Sequence, residues 1–253
     1  LGGATDLTLE KLITIGYNRY MAAFDILLPS LFAAYEEHSN DTVKTKLQEP
    51  VGLLKAWDKT SGLNSVATTL AVDWAARIGQ SLPRAQTMEE GSNAISRFND
   101  MVAQTTPQQK LEALLAVLQD LERRFGSWQQ PWGAINRYQR SGGPLEQQFD
   151  DNKPSLPSAL ASSRWGSMPA FESRITNDTR KRYGVSGNSF IAAVEFGKTV
   201  KAKTIITGGQ SNDPASKHFT DQAEMFLTGK FKDVFFYKAD VMQHMERQYH
   251  PGQ

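Results

Sequence analysis

His218 and Asp221 stand three residues apart near the end of the chain, and Asp213 lies five residues before His218. On a helix that spacing puts an imidazole and a carboxylate on one face, a plausible pair of metal ligands. The same pair can instead hydrogen-bond a turn and tie helix to strand with no metal. No second His or Cys cluster accompanies it: His38, His244 and His250 are scattered, and the chain has no cysteine. The tie is therefore the simpler reading, and no metal or other cofactor is expected. Ser211 and Ser216 offer hydroxyls in the same run, in positions that suit turn and cap roles. Arg137, Arg174 and Arg182 are further groups able to reach a pocket, with solvated guanidinium as the default for each.

The elements around these residues follow from local chemistry. Lys201–Thr207 carries β-branched residues at four of its last five positions, as a strand does. Gly208-Gly209 breaks it, because glycine alone passes freely through positive φ. Asn212-Asp213-Pro214 is turn chemistry. Ser216 is placed to cap a helix through about Leu227, with Phe219, Ala223 and Phe226 on one face and Gly229 at its end. Val234–Tyr237 reads as a strand, and Asp240 as the cap of a last short helix up to Gln248. Asn188–Phe196 is a strand whose nearly continuous apolar character predicts burial on both faces. With Lys201–Thr207 it forms a hairpin across residues 197–200. Two or three strands make no stable layered core by themselves, so polypeptide outside this chain is expected to complete the sheet.

The texture changes once, near Gly126. Residues 1–126 read as a helical region and 127–253 as a loop-rich segment followed by the closing strands. Thr8 can cap a first helix, with Leu7 and Leu12 as a hydrophobic staple and Pro29 as an interruption or kink. Leu53, Leu54 and Trp57 mark a second, short helix ending near Asp58. Val66–Ile78 marks a third, closed by Gly79, and Met88–Val102 a fourth. The strongest pattern is Thr106-Pro107-Gln108-Gln109: an N-cap, a proline at the first helical position and a capping box. Leu111, Leu114, Leu115, Leu118, Leu121 and Phe125 then draw one apolar stripe, which Gly126 stops. Gly142-Gly143-Pro144 and Lys153–Ser158 read as surface loops.

With 253 residues, 40% hydrophobic and 22% charged, the chain has globular proportions and can bury a sizeable core. A net charge of +1 without a long basic run argues against a nucleic-acid partner, and no apolar run approaches the length of a membrane span. The sequons Asn40-Asp41-Thr42 and Asn177-Asp178-Thr179 are short patterns, common by chance.

The run Gly209–Gln222, carrying Gln210, Ser211, Asp213, Pro214, Ser216, His218, Asp221 and Gln222, resembles the C-terminal signature of the penicillin acylase family, which includes penicillin, cephalosporin and acyl-homoserine lactone acylases. Leu7–Leu12, Leu53–Asp58, Pro131–Arg137 and Gly184–Glu195 look similar to family segments in the same order. The resemblance implies an N-terminal nucleophile hydrolase made by cutting a precursor, with this chain as the C-terminal part of the larger, β subunit. It implies an α+β fold: a portion of an αββα sandwich, mostly helical in its first half, with a few strands near the C-terminus. The implied partners are the upstream part of the β subunit and a smaller α subunit from the same precursor. The implied substrate is an acyl amide, such as a β-lactam antibiotic or an acyl-homoserine lactone. The implied nucleophile is a serine whose own α-amine acts as base, aided by an asparagine-containing oxyanion site. Ser211 and Ser216 lack that free amine, and neither the serine start nor the oxyanion segment has a match here. No catalytic residue is carried over, and the isolated chain is expected to be inactive. A periplasmic or secreted location is implied too. A different class of function stays open: a non-catalytic helical interaction or scaffold domain that retains the closing motif.

Overall fold

The computed structural model describes residues 6–82, 93–142, 147–176, 178–250 and 252. The sequon residue Asn177, the loop residues Gly143 and Pro144, the chain start at Leu1 and the first residues of the helix expected from Met88 lie outside them. The fold is α+β, and the chain divides into two compact units. One comprises Asn18–Gly187; the other joins Leu1–Tyr17 to Asn188–Gln253. The change of texture near Gly126 falls inside the first of these.

In the larger unit, helices α2 (Ala23–Glu37), α3 (Asp41–Ala56), α4 (Val66–Ser81), α5 (Ala94–Gln104) and α6 (Pro107–Phe125) share one apolar core. The α6 helix packs on α2, α3 and α4 and buries Leu111, Leu114, Val117, Leu118 and Leu121. Its ends are as the sequence predicts. Thr106 and Gln109 form the capping box, and Gly126 closes the helix at φ 79°. The interruption expected at Pro29 falls earlier. Helix α1 (Leu9–Gly16) stops at Gly16, Tyr20 bridges to Thr60, and α2 then runs through Pro29. Pro50 is likewise inside α3, so that helix reaches Asn40 instead of being short, and Gly79 lies within α4. Burial outweighs the local cost of these residues: Leu27, Leu28, Leu31, Leu47, Val51 and Leu54 are at most 1% exposed.

A short helix, α7 (Trp132–Ile135), leads into a four-stranded sheet in the order β2 (Leu156–Pro157), β1 (Asn136–Tyr138), β4 (Arg182–Gly187), β3 (Phe171–Ile175). Asn136, fully buried, stitches it. Its side-chain amide donates to the carbonyls of Ser158 at 3.0 Å and Leu160 at 2.9 Å, and its oxygen accepts the Ser173 hydroxyl at 2.6 Å.

The smaller unit contains α1 and a three-stranded sheet in the order β5 (Phe190–Glu195), β6 (Lys201–Ile206), β7 (Lys232–Asp233), with helices α8 (Ala223–Thr228) and α9 (Lys238–Gln243). The expected β5–β6 hairpin forms, with Phe190 opposite Ile206 and Glu195 opposite Lys201, so the connection runs from Phe196 to Val200, one residue longer than expected. Burial of β5 on both faces is not observed. Ala193 is 4% exposed, whereas Phe190 is 62%, Val194 37% and the following Phe196 85% exposed. The described chain supplies cover on one side only, where α1 packs on β5 and α8 on β6. The strand expected at Val234–Tyr237 does not form there: β7 lies just before it at Lys232–Asp233, Tyr237 is the N-cap of α9, and that helix contains Asp240 and ends at Gln243 instead of Gln248.

Candidate functional site

The sequence motif is a loop that folds back on the end of β6. Gly208 takes φ 104°, a conformation side chains disfavour. The following residue passes so close to the returning chain that a Cβ on Gly209 would stand 2.1 Å from the His218 carbonyl oxygen. That oxygen accepts the Ser211 N–H at 3.0 Å, and the Gly208 carbonyl accepts the Gln222 N–H at 2.8 Å. The motif is thus a closed loop whose two ends are tied by backbone.

Inside it the polar side chains satisfy neighbouring backbone. The Ser211 hydroxyl accepts the Asp213 N–H at 3.1 Å, the Asp213 carboxylate accepts the Ala215 N–H at 2.9 Å, and the Ser216 hydroxyl accepts the His218 N–H at 3.2 Å. These local bonds compete with helix formation. With Pro214 between them, they delay α8 to Ala223 instead of letting Ser216 cap a longer helix. Gln222, 5% exposed, turns its side-chain oxygen toward the Ile206 N–H at 3.4 Å. Gln210, Pro214 and Asp221 are exposed.

His218 and Asp221 do meet, Nδ1 to Oδ2 at 2.7 Å, with side chains 49% and 36% exposed. Asp213 does not join them, and no group of three His, Asp or Glu able to hold a metal occurs among the described residues. A two-ligand pair on the surface ties the loop; it gives a metal no coordination sphere. Behind it, Phe219, Ala223 and Phe226 are buried, and the Tyr17 hydroxyl donates to the Phe226 carbonyl at 2.9 Å. Burial pushes the Tyr17 phenol well above its usual range, so it remains a donor.

The arginines belong to the larger unit. Arg174 is exposed, as expected. Arg182 is not: its side chain is 12% exposed, its Nη2 donates to Asp73 Oδ1 at 2.6 Å, and its guanidinium lies 5.0 Å over the Trp132 ring. Arg137 donates to the Gly133 carbonyl at 2.9 Å and to the Ser155 hydroxyl at 3.0 Å. Both brace the sheet and α7. A cavity of about 190 Å³ beside Arg182 is lined by Asp73, Asp120, Arg77 and Arg124, and both aspartates are already ion-paired. A recess of about 350 Å³ between α4 and α5 is floored by Phe98, Met101 and Trp165 and presents no serine, threonine or histidine among its described lining residues. Neither offers a nucleophile with a base.

Sequence reasoning overlooked Asn136, Lys110 and Tyr17. Asn136 had a signal: a lone amide between Ile135 and Arg137 at a helix-to-strand junction. Lys110, 5% exposed, donates to the carbonyls of Val102 at 2.9 Å and Thr105 at 2.6 Å, and its place on the buried face of α6 was legible from the helical period. Tyr17 gave no signal, because its partner lies 209 residues away.

Among solved structures the chain is similar to a thermostable penicillin G acylase from Alcaligenes faecalis, with 13% sequence identity and a TM-score of 0.48 over 96% of this chain. It spans about half of that protein's length, 49%. The family model described as penicillin amidase matches residues 1–243, nearly the whole chain. By that match, this chain belongs to the penicillin amidase family.

Proposed function

We propose that this chain is the C-terminal part of the β subunit of an amidase that removes the acyl group from an acylated amide, such as a β-lactam antibiotic or an acyl-homoserine lactone. The observation that carries this reading is the family match along residues 1–243. The serine nucleophile, its α-amine base and the oxyanion donors belong on polypeptide upstream, in keeping with a loop whose hydroxyls and carboxylates are engaged in holding their own backbone. The role of this chain is then architectural: it supplies helices, the closing loop and a hairpin against which the reactive centre is assembled. Its partners are the upstream part of the β subunit and a smaller subunit cut from the same precursor, in the periplasm or outside the cell.

Mass spectrometry of the native protein tests the processing: a mature subunit that begins with serine and ends in this sequence is expected, with a smaller companion. Turnover of a panel of phenylacetyl, cephalosporin and acyl-homoserine lactone amides by the complete protein tests the chemistry and ranks the substrates. The isolated chain should be inactive. A complete protein that begins near Leu1 and hydrolyses none of them would replace this reading with that of a helical scaffold domain.

A further inference from the structure

Between α4, α6 and the four-stranded sheet, two carboxylates serve four arginines. Asp73 on α4 accepts from Arg182 on β4 at 2.6 Å. Asp120 on α6 is shared by Arg124, at 2.8 Å, and by Arg123. Arg77 stands one turn after Asp73, a spacing at which acid and base ordinarily pair along a helix. Asp73 is committed to Arg182 instead. Arg77 is left exposed, with no ion-pair or hydrogen-bond partner among the described residues.

Arg182 is itself only partly spent. Its Nη2 donates to Asp73, its Nε is buried without an acceptor, and its Nη1 meets no acceptor among the described residues. Arg124 is the reverse case. Its Nε and Nη2 donate to the Arg180 carbonyl and its Nη1 to Asp120, and only 7% of its side chain is exposed. It contributes a fixed charge that salt screens poorly.

Arg77, Arg124 and Arg182 all line the cavity of about 190 Å³, together with Asp73 and Asp120. Both carboxylates are already paired, so the cavity keeps a surplus of positive charge. Guanidiniums held close together repel one another, and a bound anion relieves that repulsion. Their planar array of N–H groups matches the oxygens of carboxylate and phosphate. The side chains of Ala76, Val117 and Ile175 line the same space and offer no hydrogen bond, which leaves a polar ligand to the arginines and Gln80. The volume falls below the range of about 300–1,000 Å³ usual for larger ligands, and suits an ion of a few atoms.

We propose that this cavity binds one small oxyanion, through a carboxylate or phosphate group held by Arg77 and Arg182 in the field of Arg124. The site stands whether or not the complete protein is an amidase.

Isothermal titration calorimetry on the complete, processed protein tests this, with inorganic phosphate and, separately, acetate as probes at one ionic strength set by chloride. The unmodified protein should bind an anion that Arg77→Gln binds ~10- to 100-fold more weakly, the effect of losing one charge-assisted hydrogen bond. Arg77 is exposed and unpaired, so that variant should fold. Gln80→Glu adds a carboxylate to the cavity wall and should weaken binding by at least ~10-fold. Binding of phosphate alone assigns the site to tetrahedral oxyanions, and binding of acetate alone to carboxylates; either supports the proposal. If the unmodified protein binds neither anion, or if both variants bind as tightly as it does, the arginines serve packing and the proposal falls.

Discussion

Replacing Gly209 with alanine tests whether the motif is a tightly closed loop. The added Cβ would stand 2.1 Å from the His218 oxygen, 2.7 Å from Asp221 Oδ1 and 2.8 Å from the Phe219 carbonyl carbon. Carbon and oxygen normally approach no closer than ~3.3 Å, so the returning backbone must retreat by about 1 Å. Two of these three atoms are backbone, which cannot swing aside as a side-chain end can. Retreat stretches the bond from the Ser211 N–H to the His218 oxygen beyond use, at about 1 kcal/mol. Overpacking of a fixed site adds about 1–3 kcal/mol. The expected loss is about 2–4 kcal/mol. All five tryptophans lie in the larger unit, so their fluorescence would miss it. Hydrogen exchange at the Ile191 and Ile205 amides reports the unit concerned and should accelerate by ~30- to 1000-fold. Gly197→Ala is the control on the same hairpin: its Cβ would come no nearer than 3.6 Å to any neighbour, so a change within about 0.5 kcal/mol is expected. If Gly209→Ala exchanges no faster than Gly197→Ala, the close approach is not what holds the motif.

Three further outcomes follow from particular contacts. Lys110→Met strips the donor from the Val102 and Thr105 carbonyls at the end of α5 and should cost about 1–3 kcal/mol in urea unfolding followed by tryptophan fluorescence. Burial holds the Lys110 ammonium below its ordinary value of 10.5, so the folded state binds that proton less tightly and stability should rise as pH climbs through the window just below 10.5; the variant should lack that rise. Tyr183 is pushed from 10.0 up to about 12, by burial first and then by its hydrogen bond to Asp151. Its contribution is complete below pH 10 and lost as pH rises toward 12, about 2–3 kcal/mol at most, and Tyr183→Phe should flatten that decline in unfolding curves taken across the range. His218→Ala removes a surface pair and should cost no more than about 1 kcal/mol; a collapse of the smaller unit, read by exchange at Ile205, would show that the tie carries the loop.

Much of the architecture could be read from residue order because it is set by contacts between near neighbours. Thr106, Gln109 and Gly126 define both ends of α6 through groups no more than four residues away, and the β5–β6 hairpin needs only a short turn and matching strands. Readings failed where a local rule met a distant one. Pro29 and Pro50 look like helix breakers, but burial of the neighbouring leucines carries both helices through them. Ser216 looks like a cap, but the turn bonds of Asp213 and Ser216 hold the chain until Gln222. For the candidate site, the order of residues in the motif was legible, and the closure that gives it meaning was not.

Amino-acid order by itself determined both ends of α6, the pairing of β5 with β6 and the order of the motif, because capping, side-chain period and turn chemistry act within a few residues. Only the tertiary structure decided that α1 joins the closing strands, that Arg182 is a buried brace on Asp73 and Trp132, and that β5 presents an apolar face to solvent. Each depends on which distant surfaces meet: an apolar run states that burial is favourable, and only the packed chain determines which faces are covered.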